Sequence, residues 1–145
     1  MKIGLIAPLL VCAVALFAAD DPFVGTWKLN VAKSKFQGEP PPQSETVTIA
    51  ADGKVSVTGS DNKGQPVEWS FMGTPGGTAT ITGIPDSTVM ETRKGNTVEH
   101  TWTMGKSSMK GHGVLSKDGK TMTYTLQGTN SEGKKIKNTE VYEKQ

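Results

Sequence analysis

Acid–base or metal chemistry in this chain has to run through few side chains. There are two histidines, His100 and His112, with Glu99 beside the first, and a single cysteine, Cys12. Two imidazoles without a thiolate fall short of the three or four ligands of a zinc site unless a carboxylate joins them, so no metal is expected. The intervening hairpin decides whether the rings meet. A four-residue turn through Gly105-Lys106-Ser107-Ser108 pairs residue 104 with 109 and residue 101 with 112, which sends the imidazoles to opposite faces of a sheet; a three-residue turn sets them opposite each other. General acid–base work needs titrating groups that converge in a cleft, and Glu91, Arg93, His100 and Glu140 meet that condition only if all face inward.

The remaining motifs are fragments. Gly105-Lys106-Ser107 matches the tail of a phosphate-binding loop, but the glycine required five places earlier is His100, and the setting is a β-turn rather than a strand entering a helix. Gly111-His112-Gly113 lacks the third glycine and the helix of a dinucleotide fingerprint. No G-x-S-x-G elbow is present. Nothing in the pattern asks for a cofactor. Lys134, Lys135 and Lys137, taken with Lys144, make a small basic patch that reads as a solvated strand end.

Residues 1–19 stand apart from the rest. Lys2, the apolar run Ile3 to Ala19 and the small residues before Asp20-Asp21 read as a secretory signal peptide, with Pro8 too central and the apolar core too short for a membrane span. Residues 20–145 are then the mature domain, secreted or periplasmic, with no membrane span. Cys12 leaves with the leader, so neither a disulfide nor a cysteine nucleophile remains. Removal of the leader lowers the apolar share from 34% to roughly 27%, poor for a globular domain, so a thick solid core is not expected. Across 145 residues, 16 Lys+Arg face 14 Asp+Glu without a polybasic block, which excludes a nucleic-acid binder and leaves one domain, expected to be monomeric.

The mature chain alternates. Val47 and Ile49; Val55 and Val57; Val67, Trp69 and Phe71; Val98, His100, Trp102 and Met104; and Met122, Tyr124 and Leu126 occupy every second position, with Thr, Ser, Glu and Gln between them. The predicted strands are 24–30, 43–50, 54–60, 65–72, 78–83, 87–94, 97–104, 109–116, 120–128 and 135–143. Asp52-Gly53, Asn62-Lys63-Gly64, Gly95-Asn96, Asp118-Gly119 and Glu132-Gly133 supply the turns. About eight to ten antiparallel strands with one apolar face and two free edges are satisfied together by rolling into an all-β, up-and-down meander barrel. Two segments break the rhythm: Val31 to Pro42, read as a turn of helix and an extended lid or crossover anchored by Phe36, and the loop Gly73 to Gly77. Alternation is also poor from Val89 to Arg93, so the sixth strand reads as an edge, a bulge or a register slip.

The two ends of the mature chain, Phe23-Val24-Gly25-Thr26-Trp27-Lys28-Leu29 and Val141-Tyr142-Glu143-Lys144, resemble the lipocalin and fatty-acid-binding protein superfamily, the calycins, and most of all its fatty-acid-binding branch. The resemblance implies a meander barrel with an internal cavity for a small apolar ligand, and a structural plug at Trp27. Three features depart from that branch. The segment after the first strand is too short for its two-helix lid, the chain carries a leader, and the position of its ligand-holding inward arginine, two before the closing tyrosine, is Glu140. A carboxylate there argues against a fatty-acid anion, because like charges in a poorly hydrated cavity repel.

If the strand phases hold, Trp69, Phe71, His100, Trp102, Tyr124, Leu126, Glu140 and Tyr142 face the interior. They would either line a ligand cavity, with His100, Glu140 and Tyr142 orienting a polar end, or fill a small solid core. The first reading makes the protein a carrier of a small hydrophobic or amphipathic molecule. The second makes it a non-catalytic envelope or surface protein that meets a partner through Gly38 to Pro42 and Gly73 to Gly77. An isomerase or hydrolase of a lipid-like substrate is a third reading, raised by a buried His100 in contact with Glu91 or Glu140.

Overall fold

A computed structural model describes residues 21–145; the segment expected to be a leader, with Cys12, lies outside the described residues. Ten antiparallel strands follow one another: β1 Gly25–Leu29, β2 Ser44–Ile49, β3 Lys54–Ser60, β4 Pro66–Met72, β5 Gly77–Thr80, β6 Ser87–Lys94, β7 Thr97–Met104, β8 Ser107–Leu115, β9 Thr121–Thr129 and β10 Lys135–Lys144. Each pairs with its neighbour in sequence except β4 with β5, and β1 pairs with β10, so the sheet runs β4-β3-β2-β1-β10-β9-β8-β7-β6-β5. The outermost strands then meet through two backbone hydrogen bonds, Ser70 N–H to Thr82 O at 2.9 Å and Thr82 N–H to Ser70 O at 2.8 Å. The result is the expected meander, rolled into a nearly closed barrel.

Local sequence explains the hairpins. In four of them a glycine with positive φ, Gly53, Gly64, Gly119 or Gly133, donates its N–H to the carbonyl three residues back. A side chain often completes the loop: Asp61 Oδ1 accepts from the N–H groups of Lys63 and Gln65, and Asn130 Oδ1 from those of Glu132 and Lys134. Two other hairpins close in two residues, Gly95-Asn96 and Gly105-Lys106, with glycine first.

Several expectations need correction. The turn at Gly105 is shorter than either length considered, so Met104 pairs with Ser107, β8 begins at Ser107 rather than 109, and His112 lies opposite Glu99. The two imidazoles still point to opposite faces, because shortening a turn by two residues preserves parity. Strand β5 ends at Thr80, leaving Thr82 to make the closing bridge. Strand β6 is neither an edge nor slipped: it pairs with β7 along its whole length and with β5 at Thr88 to Glu91. Its alternation looked poor because Glu91 and Arg93 take the inward positions while Met90 is exposed. Nor do the lysines form one patch, since Lys134 and Lys135 lie at one end of the barrel and Lys144, whose Nζ lies 5.3 Å from the centre of the Trp27 ring, at the other.

The segment after β1 is a crossover strap. Asn30 caps a single 3-10 turn, Val31–Lys33, by accepting the Lys33 N–H at 3.1 Å. Residues 35–37 then pair with 137–139 of β10, and Gly38 passes so close to β10 that a Cβ would lie 2.1 Å from the Lys135 carbonyl oxygen. With no helical lid, this end of the barrel stays open. The opposite end is sealed: Trp27 is fully buried, its Nε1–H donates to Phe23 O at 2.8 Å, and Phe23, Val98, Leu115 and Met122 are buried in the same core cluster. Arg93 completes the seal with its guanidinium 5.2 Å from the centre of the Phe23 ring and in an ion pair with Asp21.

Candidate functional site

Between plug and open end lies a cavity of about 600 Å³. That volume is within the range of small-molecule sites, and it shows that the interior is not filled by the protein's own side chains. All eight residues expected to face inward, Trp69, Phe71, His100, Trp102, Tyr124, Leu126, Glu140 and Tyr142, border it. Trp69, Phe71 and Trp102 form its aromatic wall. Trp102 stands edge-on to both others, with ring centres 5.6 Å apart in each case, a favoured geometry that holds the wall in place.

One polar network crosses the wall from β6 to β9. Arg93 Nε donates to Glu91 Oε1 at 3.0 Å, Glu91 Oε2 lies 2.9 Å from His100 Nε2, and His100 Nδ1 lies 3.0 Å from the Tyr124 hydroxyl, which also accepts from Trp102 Nε1–H at 2.8 Å. Burial alone would push the Glu91 carboxyl up. The hydrogen bond from His100 and the charge of Arg93 together outweigh that and hold it below the ordinary carboxylate range. An ionised Glu91 can only accept, so His100 Nε2 carries a proton. With a neutral ring, Nδ1 accepts from Tyr124, and every group in the chain is satisfied. Burial drives the Tyr124 hydroxyl far above the usual phenol range, so it remains a donor.

Two glycines make this network reachable. Gly111 and Gly113 occupy inward positions on β8, between β7 and β9. A Cβ on Gly111 would sit 1.7 Å from the Tyr124 hydroxyl oxygen, and one on Gly113 would sit 2.8 Å from Val98 Cγ1 and 3.2 Å from Tyr124 Cδ2. The tyrosine ring therefore lies flat across β8 and spans to His100 and Trp102. The Gly111-His112-Gly113 fragment thus acts through its two missing side chains, while His112 faces outward and bonds Glu99.

A second network stands across the cavity on β2 and β10. The Tyr142 hydroxyl lies 2.5 Å from Glu45 Oε1 and 2.9 Å from Glu140 Oε2. Asn138 Nδ2 reaches Glu140 Oε1 at 3.3 Å and Glu39 Oε1 at 3.1 Å. Among the described residues no lysine or arginine pairs with Glu39, Glu45 or Glu140. Desolvation and the charge of Glu45 push the Glu140 carboxyl up to about 7, and desolvation also raises Glu45. The two networks adjoin, since Tyr124 and Glu140 are cross-strand partners on the inner face.

Sequence reasoning missed Glu45, Glu39 and Asn138, and it named Glu91 and Arg93 only as a conditional acid–base group. Glu45 was legible: it shares the parity of Val47 and Ile49 and sits two positions before Val47 on β2. Glu39 was not, because it sits on the irregular strap. His112 and Glu99 stay on the outer face, and among the described residues no cluster of three or more His, Cys, Asp or Glu side chains is arranged to hold a metal ion.

Comparison with known proteins supports the fold alone. No protein-family model and no curated protein sequence matches the chain. Among solved structures it is similar to a fatty-acid-binding protein 1 from Echinococcus granulosus, at 13% identity and a TM-score of 0.54, covering 85% of this chain and 97% of that one. It is likewise similar to an asparagine-to-alanine mutant of the fluorescent protein UnaG, at 12% identity and a TM-score of 0.54, covering 86% and 96% respectively. The chain has the calycin-type barrel fold that its two ends resemble.

Proposed function

We propose that this protein is an exported carrier that holds one small hydrophobic or amphipathic molecule inside its barrel. The observation that carries the reading is the open cavity of about 600 Å³, walled by aromatic and aliphatic side chains and furnished with a few fixed polar groups. Contact with that wall is worth about 25 cal/mol per Å² of apolar ligand surface buried, before the entropy cost of association. The polar ends of Tyr142 and Glu140 orient the ligand. The similarity to a fatty-acid-binding protein is consistent with such use, and export rests on the leader-like residues 1–19.

A neutral fluorescent probe, N-phenyl-1-naphthylamine, tests the reading. It should bind at one saturable site and quench Trp69 and Trp102 by energy transfer. Leu126→Trp, which fills the cavity from the wall, should abolish binding while leaving the melting transition in place. Probe binding that survives this substitution, or no saturable binding at all, would overturn the carrier function. The amino terminus of the protein isolated from its host should fall near Asp20.

A catalytic reading draws on one observation, the contact of His100 with both Glu91 and Tyr124. Both ring nitrogens are already engaged within the wall, so neither is left to take a proton from a bound molecule. We assign the network to fixing the aromatic wall.

A further inference from the structure

The cavity is strongly acidic although the chain as a whole is not. The full sequence carries a formal net charge of +2, yet the carboxylates of Glu39, Glu45, Asp61, Glu91, Glu132 and Glu140 border the cavity against the single guanidinium of Arg93. Glu91 is neutralised by Arg93, and at the rim Glu132 lies 3.4 Å from Lys134. Glu39, Glu45, Asp61 and Glu140 are left without a cationic partner among the described residues, and of these Glu45 and Glu140 meet at one point, the Tyr142 hydroxyl, where low-dielectric walls focus their field into the cavity.

Proton counting sharpens the point. Tyr142 has one hydroxyl proton and stands within hydrogen-bond distance of two carboxylates, Glu45 Oε1 and Glu140 Oε2, so it can satisfy one of them. Among the described residues nothing donates to Glu45 Oε2. This atom is not a sealed orphan, because among the described residues no buried side-chain oxygen lacks a partner, and Glu45 itself borders the cavity. The pair is short of a donor. Among the described residues no third His, Cys, Asp or Glu joins the two carboxylates to make a group that could hold a metal ion.

Resting on the carrier reading, we propose that the molecule it holds is a hydrophobic amine: an alkyl- or arylalkylammonium whose cationic head is received by Glu45 and Glu140 and whose apolar body lies along Trp69, Phe71 and Trp102. The ammonium supplies the donor that Tyr142 cannot, and it removes the repulsion between the two carboxylates. A carboxylate-headed ligand in the same place would add a third like charge. The groups facing Glu140 are Glu45 from β2, Glu39 from the strap, Tyr124 from β9, and Tyr142 and Asn138 on its own strand, none of them cationic. Protonation of Glu140 below about pH 7 therefore weakens the capture of a cation.

The test compares three ligands of one chain length, dodecylamine, dodecanol and laurate, in displacement of N-phenyl-1-naphthylamine from the purified protein. At about pH 8 the amine should bind at least about tenfold more tightly than either of the others, since a desolvated charge pair supplies the difference. The preference should shrink as the pH falls toward about 5, with dodecanol unaffected. Glu140→Gln and Glu45→Gln should each reduce the affinity for amine by far more than that for dodecanol. Both substitutions remove a buried, uncompensated charge, so neither is expected to unfold the protein, and the retained dodecanol site verifies this directly. Equal binding of amine and dodecanol, or tighter binding of laurate, would overturn the proposal while leaving the carrier standing. Failure of all three ligands and of the probe would bring down both.

Discussion

The barrel interior places buried glutamates in two settings that differ in one respect. On β6, Glu91 sits between a guanidinium and an imidazole, and its carboxyl is held below the ordinary range. Across the cavity, Glu140 sits beside Glu45 and a tyrosine with no cation, and its carboxyl is raised to about 7. Burial penalises both charges. The presence of a counter-charge on one side and its absence on the other decides the direction. The first arrangement is complete and holds the wall; the second is incomplete, and completion is what a ligand can supply.

Removing a charge should therefore act in opposite senses on the two sides. Glu91→Gln leaves Arg93 without its buried partner and His100 Nε2 facing an amide, and should cost about 3–5 kcal/mol in chemical denaturation. A loss under about 1 kcal/mol would mean that the pair is solvated and the two sides are alike. Glu140→Gln should stabilise, and only where the wild-type side chain is forced to ionise. Between the unfolded value of 4.5 and about 7 the folded protein holds a proton that the unfolded chain has lost, so wild-type stability falls as pH rises through that window and levels off above it. The fall is about 3 kcal/mol from Glu140, and Glu45 adds in the same direction. The Glu91 contribution has the reverse sign and is lost below about pH 4.5, which puts the stability maximum of the ligand-free protein near or just above that pH. Flattening of the decline above about pH 5 in Glu140→Gln, read from melting curves across pH, checks the assignment.

The strands were legible because their physics is local. Turn residues at fixed offsets and a period of two set nine of the ten strands to within about two residues, and inward parity followed for Trp69, Phe71, Trp102 and Tyr124. What escaped was polar or empty. Strand β6 hides Glu91 and Arg93 inside, so a hydrophobic period finds the wrong face there. Apart from the Arg93–Glu91 pair within β6, the partnerships that make buried charges tolerable join residues far apart in sequence: Glu91 with His100, Glu45 with Tyr142, Asp21 with Arg93. Barrel closure was equally silent, resting on backbone bonds between Ser70 and Thr82 that no side chain announces.

Gly111 is the position where an empty site does most, and where the comparison can be tested without altering any charge. It lies at an inward position of β8 between Met109 and Gly113, at a place where other strands put a large apolar group. A methyl group there would lie 1.7 Å from the Tyr124 hydroxyl oxygen, so in Gly111→Ala the ring has to lift away from β8. The hydroxyl then loses His100 Nδ1 and Trp102 Nε1 together, and Trp102 loses the bond that sets its ring against Trp69 and Phe71. Overpacking of this kind costs about 2 kcal/mol. The more telling result is which side responds. Trp102 emission should shift while Glu91, still paired with Arg93, keeps its low titration; the Glu140 titration near 7 should move only through its cross-strand neighbour Tyr124. If Gly111→Ala instead left both the emission and the stability of the protein unchanged, the tyrosine would not be the strut that joins the two halves of the cavity, and the aromatic wall would owe its position to packing alone.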